Sequence, residues 1–129
     1  MVTNYIKHYP LSLLTVVAVL ALSLLPIGRV ELVEDVPLAD KWTHMVMYGG
    51  LTAVIWAEYA RRHRRACWTR LLTWGVAAPI VLGGVLELMQ KYCTTYRSGE
   101  WLDFAADSLG TCVGALLGCL FIYLSSSRD

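Results

Sequence analysis

Charge is what this chain has least of. Only 16% of its 129 residues are Asp, Glu, Lys or Arg, against 57% hydrophobic residues and a mean hydropathy of +0.52. So little charge beside so much apolar content argues for a single domain whose surroundings are apolar, that is, a membrane protein. A net charge of +1 supplies no field for polyanions, and no stretch interleaves basic with aromatic residues, so no nucleic-acid partner is expected. Cysteine is also sparse. Cys67, Cys93, Cys112 and Cys119 have no metal-ligand spacing, which excludes a zinc-finger type of site. A glycine-rich phosphate loop, a dinucleotide fingerprint and internal repeats are all missing.

What is there is a series of apolar runs, 10–27, 42–60, 71–90 and 102–124, close to the length of about 20 residues that a spanning helix needs. The expected fold is an all-α membrane protein with four transmembrane helices in one bundle, residues 1–129 forming one domain. The first run shares a basic start and apolar centre with signal peptides, and Ala21-Leu22-Ser23 is a weak cleavage candidate. Because the apolar run continues past it and three more follow, an uncleaved anchor is expected. Pro79, midway along the third run, removes a backbone donor and is expected to kink the helix, which a neighbour must compensate by satisfying the freed carbonyl. The strongly basic stretch Arg61–Arg65 (RRHRR) and Arg70 lie between the second and third runs and place that loop in the cytoplasm. Both termini are then cytoplasmic, and loops 28–41 and 90–101 face outward, with Cys93 as the one outward cysteine and hence no disulfide across that face. Setting topology is the expected role of the arginines, ahead of binding anionic lipid. Glu58 stands three and four residues before Arg61 and Arg62, the spacing of a helical ion pair.

The charges that remain gather at the outer end. Asp40, Lys41, His44 and Tyr48 open the second run, Glu87, Gln90 and Lys91 close the third, and Arg97, Asp103 and Asp107 lead into the fourth. At about 1.5 Å per residue these groups share one depth on three helices, and at about 100° per residue each helix presents them on one face. On the fourth run that face continues through Gly110, Gly114 and Gly118, a ladder of small residues that lets a neighbouring backbone approach closely. The carboxylates are therefore expected to point into the bundle.

The ordered motifs DKWTHMVMY, ELMQ and RSGEWLDFAADSLG, over residues 38–118, resemble the VanZ-like family of small membrane proteins. Asp40, Lys41 and His44 fit that family's first motif, Glu87 and Gln90 its second, and Arg97, Asp103 and Gly110 its third. Asp107 departs from the pattern, which more often has Asn there. The resemblance implies a multi-pass protein of the bacterial inner (plasma) membrane, and the family takes its name from a glycopeptide-resistance determinant associated with reduced sensitivity to teicoplanin.

Three readings of the cluster follow from its chemistry. It is a hydrogen-bonded network that fixes helix register. Or it is an enzyme site for a membrane lipid or lipid-linked envelope intermediate, with His44 as general base or nucleophile, Asp103 or Glu87 orienting the imidazole, and Lys41 and Arg97 holding a phosphate. Or it acts without chemistry, as a receptor for a headgroup or antibiotic, a small transporter or a partner for other membrane proteins, with Gln90, Asp40, Asp107 and Tyr48 among the contacts. A divalent cation held by Glu87, Asp103 and Asp107 is compatible with the last two, since hard cations take carboxylate oxygens.

Overall fold

The computed structural model describes residues 2–25, 38–95 and 100–128, and every regular element among them is helical. Helix α1 (Val2–His8) is followed by α2 (Pro10–Leu24), α3 (Ala39–Arg62), α4 (Trp68–Leu72), a π-helical turn at Thr73–Ala77, α5 (Ala78–Cys93) and α6 (Trp101–Ser126). α4, the π turn and α5 are continuous, so that Trp68–Cys93 forms one rod of 26 residues. Arg97 lies outside the described residues, as do residues 26 and 27 at the end of the first apolar run.

Among the described residues two helices are long and apolar enough to cross a membrane, Trp68–Cys93 and Trp101–Ser126, and a third crossing arises if α1 and α2, bent by 99° at their junction, count as one span. α3 is long enough at 24 residues, but its hydropathy is lowered by His44, Glu58 and the Gly, Thr and Tyr residues between them. Its position explains how it tolerates this composition. It packs against α2, α5, α6 and the π turn and buries His44, Tyr48, Leu51, Thr52, Trp56, Glu58 and Tyr59. A helix screened by its neighbours need not be apolar all round.

Burial as a whole is inverted relative to a water-soluble domain. Among the described residues ten polar or charged ones are buried against eight hydrophobic ones, while leucines such as Leu109, Leu116, Leu117 and Leu120 of α6 stand exposed. An apolar exterior over a polar interior is the arrangement that a lipid surrounding favours.

Helices α3 and α6 run side by side in the same direction, and the glycine ladder sets their spacing. A Cβ added at Gly110 would overlap the Met45 carbonyl, and one at Gly114 would overlap the Gly49 carbonyl and lie 2.9 Å from Thr52 Cβ. The expected close approach is therefore present and has α3 as its partner. Apolar packing fills the rest, with Val19, Tyr48, Leu51 and Leu86 joining α2, α3 and α5, and Trp56, Tyr59 and Leu71 clustering toward the other end.

Pro79 does not interrupt the rod. The π turn precedes it, and the Gly75 carbonyl, whose usual helical donor would be the missing N–H of residue 79, instead accepts the indole N–H of Trp56 at 3.3 Å. Glu58 departs from expectation. Its carboxylate accepts the backbone N–H groups of Leu11 (2.9 Å) and Ser12 (2.8 Å) and the Ser12 hydroxyl (2.6 Å). Pro10 starts α2 with no side-chain cap of its own, so a buried carboxylate finds three donors there and is not committed to Arg61 or Arg62.

Candidate functional site

The polar residues converge where the first turns of α3 and α6 meet the last turns of α5. Asp40 and Lys41 lie in the first turn of α3, with His44 and Tyr48 one and two turns further on the side facing α6. Asp103 lies in the first turn of α6, with Asp107 one turn on, and Glu87 and Gln90 are near the end of α5. His44, Tyr48, Glu87, Gln90, Asp103 and Asp107 are all buried.

His44 is the centre of the cluster. Its Nδ1 is 2.7 Å from Asp107 Oδ1 and 3.9 Å from Glu87 Oε1, while its Nε2 is 3.9 Å from Asp103 Oδ2. An ionised carboxylate only accepts, so the short contact assigns the proton to Nδ1 and leaves Nε2 facing Asp103. Asp107, not Asp103 or Glu87, is the carboxylate that orients the imidazole. The reason is local: Asp107 and Tyr48 meet over Gly83, where the backbone of α5 leaves room for both.

Lys41 is spoken for by protein carboxylates. Its ammonium donates to Asp103 and, at 2.7 Å, to Glu100 Oε2, with Asp40 at 3.7 Å. Partial burial opposes the charge, yet the hydrogen bonds to Asp103 and Glu100 outweigh it and hold the lysine above its ordinary pKa. Glu100, which the sequence reading passed over, immediately precedes α6, and its own N–H donates to Glu87 Oε2 at 3.1 Å, tying the end of α5 to the start of α6. An acid directly before an apolar helix was the available signal.

Gln90 leaves the cluster. Its side-chain amide donates to the Ser23 carbonyl at 2.7 Å and so joins α5 to the end of α2. The carboxylates nearest in kind to a metal site also group differently from expectation: Asp40, His44 and Asp103 form one triad and His44, Glu87 and Asp107 another, with ligand atoms within 4.8 Å of one another. His44 stands between Asp103 and the Glu87–Asp107 pair, which keeps those three carboxylates from forming one ligand set. A cation in the first triad competes with the Lys41 ammonium for Asp103, and in the second it displaces the His44–Asp107 hydrogen bond.

No protein family, curated protein or solved structure matches the chain. The site must be read from its own geometry. A carboxylate-oriented imidazole with a second carboxylate beyond its other nitrogen, enclosed at one end of a helical bundle, is equipped to accept a proton at Nε2 and to stabilise the resulting imidazolium from both sides.

Proposed function

We propose that the chain is a VanZ-like integral membrane protein of the bacterial envelope, crossing the inner membrane four times with both termini in the cytoplasm. Its outward-facing polar site acts on the phosphate or ester of a lipid-linked or phospholipid headgroup by hydrolysis or transfer. The observation that carries this reading is the His44–Asp107 hydrogen bond of 2.7 Å with Nε2 left toward Asp103. In this reading Nε2 takes the proton of a water or hydroxyl acceptor as its oxygen attacks the headgroup. The imidazolium, held by Asp107, then returns the proton to the leaving oxygen. General acid–base help of this kind is worth about 10²–10⁴ in rate. The alternation of apolar runs, the basic segment Arg61–Arg65 at one end and the polar motifs at the other support the orientation. The motif resemblance connects the site to glycopeptide sensitivity.

A second reading, binding without chemistry or a network that holds the helices, is favoured by one specific observation: Lys41 is already paired with Asp103 and Glu100. Purified protein incubated with phospholipid and lipid-linked phosphate substrates separates the two. Headgroup release that disappears in a folded His44→Ala variant supports catalysis. Saturable binding with no turnover supports the second reading.

A further inference from the structure

The opposite end of the bundle holds a pocket of about 560 Å³ between α1 and the end of α3, lined by Asn4, Tyr5, His8, Tyr9, Arg61, Arg62 and His63. Arg61 lies 17 residues beyond His44 on the same helix, about 25 Å away along its axis, so this is a separate site. We propose that this pocket binds the phosphate of an anionic phospholipid headgroup. The inference does not depend on any chemistry at His44.

Charge selects the ligand class. Among the described residues the lining has two arginines and two histidines and no carboxylate. The carboxylate closest along α3, Glu58, is hydrogen-bonded to the start of α2 through Leu11 and Ser12 and does not line the pocket. Two contacts link or brace parts of the lining. Arg62 Nη2 reaches across to the Lys7 carbonyl at 3.5 Å, and His63 stacks on Tyr59 with ring centroids 4.1 Å apart. Exposed guanidinium groups lining a cavity suit phosphate oxygens, which they can engage by paired hydrogen bonds.

The surroundings favour a lipid over free phosphate as the source. α1 leaves the apolar helix α2 at 99°, the angle of a segment lying along a surface from which the next helix descends. Val2, Tyr5 and Ile6 of α1 are exposed, and Trp68 is exposed at the start of the next rod. Aromatic and apolar side chains beside a basic pocket place its ligand at a membrane interface, where each basic residue strengthens attraction to anionic lipid.

The test uses the full chain in detergent micelles, titrated with phosphatidylglycerol or phosphatidylcholine and read by native mass spectrometry. Phosphatidylglycerol is expected to bind saturably and at least about tenfold more tightly than phosphatidylcholine. The double variant Arg61→Gln/Arg62→Gln should lose about tenfold or more in affinity. Arg64→Gln/Arg65→Gln removes the same charge outside the pocket and should change affinity less than about threefold. His8→Glu, on a helix with no buried residue, puts a carboxylate into the pocket with little risk to folding and should also weaken binding. Equal losses in the two arginine pairs, or no loss in His8→Glu, would overturn the pocket in favour of diffuse surface charge. Binding of inorganic phosphate alone as tightly as phosphatidylglycerol would overturn the lipid assignment in favour of a free anion.

Discussion

Gly114→Ala tests how closely α3 and α6 are packed. The added methyl would overlap the Gly49 carbonyl and lie 2.9 Å from Thr52 Cβ and 3.1 Å from the Gly49 carbonyl carbon, against backbone that has no rotamer to change. Relief requires the helices to separate by a few tenths of an ångström or more along much of their shared face, and overpacking of this kind costs about 1–3 kcal/mol. Gly50→Ala is the internal control, because nothing lies within 4 Å of its added Cβ. There the gain in helix propensity applies without a clash, so stability should hold or rise by up to about 1 kcal/mol. Reversible unfolding in mixed micelles, followed by tryptophan fluorescence, measures both variants against the parent. A fall for Gly114→Ala of about 2 kcal/mol corresponds to roughly a thirtyfold loss in the folding equilibrium. Equal effects of the two substitutions would show that α3 and α6 do not meet along this ladder.

Other outcomes follow from individual contacts. Trp56→Phe deprives the Gly75 carbonyl of its donor and should cost about 1–2 kcal/mol, and Pro79→Ala in the same chain should recover part of it by restoring the N–H of residue 79, giving a coupling measurable in a double-mutant cycle. Glu58→Ala strands three donors at the start of α2 and should lower thermal stability by about 1–2 kcal/mol, whereas loss of Arg61 should leave stability within about 0.5 kcal/mol. Cys67 and Cys93 are both exposed, so an impermeant thiol reagent applied to intact cells should label Cys93 and spare Cys67 under the proposed orientation; the reverse pattern inverts it.

The polar cluster was legible in the sequence because ionised groups stand out inside apolar runs and helical phase says which of them share a face. The same phase misleads where a helix has two neighbours. Glu87 and Gln90 lie about 60° apart on α5, enough for one to face Glu100 and His44 while the other reaches Ser23 on α2. On its own helix Glu58 has the arginines close in sequence, but its hydrogen-bond partners are 46 and 47 residues away and arise only when α2 folds against α3. A freed carbonyl below Pro79 could be anticipated, though not that Trp56 would supply its donor. Hydropathy gives no sign of the short helix α1, since the sharp turn before Pro10 depends on backbone geometry that it does not register.

The central proposal is that His44 and its carboxylates serve a ligand beyond holding the bundle together. Folded yield in detergent, measured beside teicoplanin sensitivity of a bacterial host for the parent, His44→Ala and Asp103→Asn, addresses it most directly. Both variants should retain most of the folded protein and lose whatever change in sensitivity the parent confers, because Asn at 103 keeps an acceptor for Lys41 while removing the charge that faces His44 Nε2. Yield and phenotype falling together, or neither changing, would contradict it.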